Sequence, residues 1–553
     1  TSNINVRAPL IGSAAGSGSG GAGLAGAIGV TLGRNYVGDN PHTTDEEEQN
    51  TVHAYIKYST VLAPSGKVEV EAFSNDTSYL VAWSGSVAIQ AGPGVGVAAC
   101  GVETTNRLAT EVKAFVEHSF VQAQSIKIHS NADSEIEKSY AIGVAISGSA
   151  MAAVSVAVSK IDNQITNKVE AHFVGGHWTV PSDNNISIKA TQSKSLIKDS
   201  SAVTASIAAA VYSASGGGVD IDHRIENEVS AYVKKTKPSD YELANKATAG
   251  TMVVVDNQDG YVKGDKVNIK VKELSRNLSE GDVLYFENGG VFTLESNAPK
   301  GSTNLVGELK GKGLTDNENS STRPNLEIVA TEDAELGADA FNLALAPSIG
   351  GAMGVSLLDV EIASSIESYL DGSDNNPLRV KDLKIQANAE SEISENRTLG
   401  ISASLVAGVS GAHAKSFIRT KVSADIKGSI KIDATGNVTL RAEADNKAVA
   451  RADGGAAGAI AVGVMLAQIH LGHDKDQYEV AATIGGSAEI LNARTVSIEA
   501  FAKDDMEADS VAAGGGLLTA QGAESRVKST LGTLAQIKDT AIIKAETLSI
   551  RSE

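Results

Sequence analysis

Gly21, Gly23 and Gly26 spell GxGxxG just after the extended-looking INVRAP. In a dinucleotide-binding fold such a turn opens a helix whose N-terminus holds a pyrophosphate, with an acidic residue for the ribose about 20 positions on. The residues next in this chain, AIGVTLGRNYV, are Gly-interrupted and β-type, and similar glycine centres recur along its length. None is succeeded by GK[ST], which excludes a P-loop. GSGSG at 16–20 matches the nucleophile-elbow pattern but belongs to the same glycine series. His470 and His473 form the one close histidine pair, and on a strand they point to opposite faces and share no metal. Asp256, Asn257 and Asp259 in DNQDG, and DGSDNN at 371–376, carry calcium-type oxygen ligands, although Asx-rich turns account for them equally well. The expectation is no catalytic residue and no bound cofactor, with calcium at Asp256, Asn257 and Asp259 as the one alternative.

The composition limits the classes further. Of 553 residues, 42% are hydrophobic but only 4% aromatic, with 55 Gly and 10 Pro, so the core is built of Ala, Val, Ile and Leu. A net charge of −20 speaks against a chain that neutralises nucleic-acid phosphates. Cys100 is the single cysteine, so no intramolecular disulfide and no cysteine-based zinc site exists. The apolar runs, such as AIGVAISGSAMAAVSVAVSK at 141–160, are broken by Gly and Ser, and direct membrane insertion is not expected. Without an initiator Met or a leader-like start, the chain reads as a piece of a longer one.

A repeat answers the question the glycines raise. A β-type signature recurs as INVRA from Ile4, VEVEA from Val68, IKIHS from Ile126, ISIKA from Ile186, LEIVA from Leu326, LKIQA from Leu383, VTLRA from Val438, VSIEA from Val496 and LSIRS from Leu548. A second runs in phase with it from Val52, Val112, Val169, Val229, Ile366, Val422, Val480 and Leu534. Both advance by about 58 residues with one long interruption, and each unit holds a small-residue, Gly-rich centre. The internal period is two, and one unit cannot bury its apolar face alone. The expected fold is all-β: a β-solenoid (β-helix) of about eight repeats of roughly 58 residues, each a wide coil with two long strands and a shorter third, carrying one inserted small β module. The expected domains are solenoid repeats at 1–233, the module at 234–325 and further repeats at 326–553. A smaller acidic insertion, YVGDNPHTTDEEEQN at 36–50, reads as an exposed loop.

The β signature, the small-residue Gly centre and the VxAYI-type strand together resemble the repeats of very large bacterial surface adhesins, of the filamentous-adhesin, leukotoxin-like and autotransporter-passenger kind. The likeness covers nearly all of the chain outside 234–325. Within the module, GD, LYF, NGG, FTL and KGSTNL resemble small β modules of bacterial surface and phage structural proteins. The resemblance implies an extracellular, cell-surface location and a non-catalytic stalk for attachment, with a receptor or glycan on a host or bacterial surface as partner. Other copies stacking end to end through exposed strand edges form the alternative, a filament or surface-layer subunit. A polysaccharide-active β-helix enzyme is the second, and it lacks a visible aromatic platform: Trp83 and Trp178 lie in different units.

Overall fold

The computed structural model describes residues 2–16, 23–38, 50–57, 59–235, 241–245, 248–253, 266–270, 277–280, 283–285, 291–299, 302, 304–310, 322–372, 377–473 and 479–553. Among these, β-strand is the dominant state and no helix occurs. Apolar residues alternate with polar ones, and burial alternates with them: in Ala152–Ile165 every second residue is buried. That period of two places Val, Ile and Ala on one face of each strand.

An eight-stranded sheet and an eighteen-stranded sheet make up most of the molecule, and every pairing within them is parallel. Each repeat contributes a long strand such as Asn185–Ala209, a turn, a return strand such as Tyr212–Ile225, and a short strand such as Glu228–Lys235. The return strands form the eight-stranded sheet, while the long and short strands share the larger one. Partners lie one whole unit apart: Val68 opposite Ile126, Ile126 opposite Ile186, Ile186 opposite Leu326, Leu326 opposite Leu383. Neighbouring strands in the sheet are thus a whole sequence repeat apart, except in the pair that spans the long interruption.

Two signature assignments need correcting. Ile4 pairs with Ser78, ten residues beyond Val68, so INVRA belongs to a later part of the long strand than VEVEA. Val480 faces Thr533 and not Leu534, so the core-facing set there is Thr533, Ala535 and Ile537. A slip of one residue would turn that set outward.

The core narrows along each repeat. Where long and short strands face each other it holds Ile186, Ile188, Val229 and Leu326, all nearly fully buried. Burying one such side chain is worth about 2–3 kcal/mol. Between long and return strands Ile136, Ile161 and Ile221 fill the middle. Near the turn the core is reduced to small residues, with Ala25, Ala27, Ala88, Ala98, Cys100, Ala145 and Ala157 in one group and Ala344, Ala346 and Ala352 in another. Small residues there let the two sheets approach closely.

One corner of the unit is left-handed in repeat after repeat. His118, Gly175, Gly428, Gly486 and Asp539 all have φ between 45° and 77°. Lys235 pairs with Gly372 at the same corner, and beyond Lys235 the pattern changes. Tyr241–Asn245 and Thr248–Val253 pair antiparallel, and Lys266–Lys270, Asn304–Lys310, Val291–Leu294 and Val283–Tyr285 form a second antiparallel sheet. At Asn325 the chain rejoins the parallel sheet opposite Asn185.

Candidate functional site

The described glycines of the opening motif are strand residues and do not open a helix. Gly23 and Gly26 lie in the strand Gly23–Val37, and Gly21 falls outside the described residues, as does most of GSGSG. Other glycines of the series serve close approach of the sheets, whereas Gly26 has nothing within 4 Å of a Cβ position. A Cβ on Gly96 would sit 2.8 Å from the carbonyl oxygen of Gly148, and one on Gly217 would sit 2.5 Å from Asn342 Oδ1.

The richest cluster of chemical groups lies on the outer face of the short strands. Register aligns Tyr55, Phe115, His172, Tyr232 and Tyr369 in one row. Their rings stack with centroids 5.1, 5.0, 4.8 and 4.7 Å apart and nearly parallel planes. Lys427 Nζ closes the row 4.4 Å from the centre of the Tyr369 ring. His172 stands between two carboxylates, with Nε2 3.2 Å from Glu117 Oε1 and Nδ1 2.9 Å from Glu170 Oε1, the latter a charge contact outside hydrogen-bond alignment. Tyr232 Oη donates to Glu170 Oε1 at 2.6 Å. Lys57 and Lys113 complete the network, 2.7 Å from Glu117 and 3.4 Å from Glu170.

The electrostatics of this row are mutually satisfied. The hydrogen bond to His172, with Lys57 adding to it, holds Glu117 down at about 2. Burial works against the charge of Glu170, yet His172 and Tyr232 outweigh it and bring it to about 2. Burial likewise opposes the charge on His172, and the two glutamates more than compensate, raising its pKa. Burial and Glu170 push the Tyr232 hydroxyl up. Because the rings stack on each other, the faces of Phe115, His172 and Tyr232 are occupied and the row braces neighbouring strands, while Tyr55 at its end is 61% exposed.

A second set of polar groups is sealed inside. Asn35 Nδ2 donates to Asn106 Oδ1 at 3.1 Å, and Asn106 Nδ2 donates to Asn163 Oδ1 at 2.7 Å. His223 continues the row, 2.6 Å from Ser200 Oγ, and burial lowers its pKa to about 4. Asn167 and Asn227 accept from the backbone N–H of Thr110 and Asn167 at the corner between return and short strands. Asn227 Nδ2 and Ser364 Oγ donate to Glu332 Oε1 at 2.6 and 2.8 Å, and burial raises Glu332 to about 7. Most of these groups bond to one another or to the turning backbone, while Asn35 Oδ1 and Glu332 Oε2 are buried without a partner.

Sequence reasoning singles out neither set, although the signal exists. The ring always occupies the fourth place of VHAYI, VKAFV, VEAHF, VSAYV and IESYL, and the asparagines recur at inward positions one unit apart.

The candidates named from sequence fare differently. Asp256, Asn257 and Asp259 lie outside the described residues, as do residues 373–376 of DGSDNN and 39–49 of the acidic insertion. Among the described residues no group of three His, Cys, Asp or Glu side chains could hold a metal ion. His470 sits on a strand, and His473 lies past its end, 3.4 Å from the buried Glu479. Cys100 is buried among alanines, and burial pushes its thiol up to about 11. Trp178 packs edge-on against Phe173 in the core, whereas Trp83 is 38% exposed on an outer face. Among the described residues no helix is long and apolar enough to cross a membrane. No family model, no curated protein and no solved structure matches the chain.

Proposed function

We propose that the chain is a β-solenoid segment of a bacterial surface adhesin, about eight coils of roughly 58 residues, acting as an extracellular, non-catalytic stalk. The segment around 234–325 is the appendage that meets a receptor or glycan on a host or neighbouring cell.

The observation that carries this is the continuity of parallel pairing across the interruption. Ile186 pairs with Leu326 and Val229 with Ile366, so the strands on either side of the intervening segment are parallel partners, with the register shifting near Glu332 and Leu336. The interruption leaves from an exterior corner and builds its own antiparallel strands. Loops and modules on a regular scaffold are where recognition concentrates. Strands stacked about 4.8 Å apart resist shear through many parallel hydrogen bonds, which suits a mechanical role.

The test compares the intact chain with one in which residues 236–321 are replaced by a short Gly-Ser linker, on glycan arrays and on cells. Binding by the intact chain that disappears in the shortened one, at unchanged far-UV circular dichroism, supports the assignment. Equal binding by both contradicts it.

A further inference from the structure

Each repeat turns from its long strand into its return strand at one common edge, at 91–93, 149–151, 210–211, 347–348, 405–406, 458–459 and 516–517. Around these turns the sequence contains no Asp, Glu, Lys or Arg: none from 77 to 102, 139 to 159, 200 to 219, 340 to 358, 398 to 414, 454 to 473 or 510 to 523. In a chain with 114 such residues (47 and 67), seven consecutive gaps that stack in register make one charge-free edge.

The polarity of that edge is inverted. Inside are Ser86, Ser147, Thr204, Ser206 and Asn342, all buried. Several bond across the narrow interior: Ser155 Oγ donates to the Ala145 carbonyl at 2.6 Å, and Asn342 Nδ2 to the Val355 carbonyl at 3.1 Å. Outside are aliphatic and aromatic side chains on both flanks. On the long strands Trp83, Ile142, Val203, Phe341 and Leu399 form one row. On the return strands Ile28, Val156, Met353 and Val409 share another and are 76, 42, 55 and 40% exposed. The turns themselves present Met151, Val211, Leu405 and Leu517, each at least half exposed.

We propose that this edge embeds in the hydrocarbon of a lipid layer. Three features select that occupant. The apolar surface wraps both flanks and the turns, whereas a second copy of the chain laid on one flank would leave the other flank and the turns in water. Backbone groups are paired from repeat to repeat and polar side chains point inward, which is the arrangement β-structure adopts in lipid. Charge returns on both arms at a depth that varies between repeats: Lys138 and Lys160 stand 11 and 9 residues from the 149–151 turn, and Asp453 only 5 from the 458–459 turn. At about 3.3 Å per residue the charge-free arms of the 149–151 turn reach roughly 30–36 Å and the arm ending at Asp453 about 17 Å, so the edge is deep enough to enter at least one leaflet. The expectation against insertion rests on single runs of sequence, and here no single run supplies the surface. The proposal goes beyond the stalk function and does not depend on it.

The test uses the intact chain carrying Trp178→Phe, so that Trp83 is the one tryptophan, mixed with neutral phosphatidylcholine vesicles. The chain is expected to float with the vesicles, equally well at about 1 M salt because no ion pairing is involved. Trp83 emission shifts to the blue and is quenched by bromine on the acyl chains. Val156→Lys with Met353→Lys lowers the floating fraction about tenfold or more, while Leu62→Lys, far from this edge, leaves it unchanged. Absence of flotation with unmoved Trp83 emission overturns the proposal. So does light scattering that shows a dimer broken by the same double lysine variant without vesicle binding, which assigns the surface to a second copy.

Discussion

Ile186 and Leu326 are separated by 140 positions in sequence and lie side by side as parallel partners in the core. The same holds one strand over, where Val229 meets Ile366. The parallel pairing stops after Lys235 and resumes at Asn325, opposite Asn185.

The His172 row gives a pH signature. The folded pKa of His172 is raised, so its stabilising contribution is complete below the unfolded value of about 6.5 and is lost as pH rises through the folded value. Glu117 and Glu170 are depressed to about 2, so theirs is present above about 4.5 and lost as pH falls toward 2. The melting temperature of the intact chain should fall as pH rises above about 6.5, and His172→Gln should reduce that slope, leaving the part due to Glu332. An unchanged slope in the variant would mean the network does not couple.

Glu332 and His223 have the opposite character, since burial holds both uncharged. Raised to about 7, Glu332 stays protonated where the unfolded chain has released its proton, so its penalty grows from pH 4.5 to 7. Glu332→Gln, which keeps an acceptor for Asn227 and Ser364, should stabilise the protein at pH 7.5 by up to about 3 kcal/mol and change little near pH 4, read by urea unfolding. His223→Asn should extend the asparagine row and reduce the loss of stability between about pH 6.5 and 4.

Glycine position decides tolerance. Gly96→Val puts a side chain against the Gly148 carbonyl and should cost about 1–3 kcal/mol in the same assay. Gly26 has nothing within 4 Å of its Cβ position, so Gly26→Ala should be neutral or stabilising by about 0.5–1 kcal/mol.

The periodic part of the fold is legible because the side-chain period of two and the unit length are both written in residue types. The signatures at Val68, Ile126, Ile186, Leu326, Leu383, Val438, Val496 and Leu548 do pair in sequence. The misplacements at Ile4 and Leu534 arise where alternation continues through neighbouring residues, so that several alignments look equally good and only the ladder selects one. The ring row and the interior asparagines stay hidden because each residue is ordinary within its own unit and gains its role from the residue stacked on it. The inverted edge is hidden for the same reason: 139–159 alone is a broken apolar run, and the continuous surface exists only when seven such runs are aligned.

The pairing across the interruption is tested most directly by cysteine cross-linking in a Cys100→Ser chain. Ser187 and Glu327 are outward-facing register partners, and parallel neighbours lie about 5 Å apart between Cα atoms, within disulfide range. Ser187→Cys with Glu327→Cys should form an intramolecular disulfide under mild oxidation, closing the 140-residue span and changing the gel mobility of the monomer. Ser187→Cys with Glu335→Cys should not. A cross-link in the second pair and none in the first would contradict the stacked register on which the whole architecture depends.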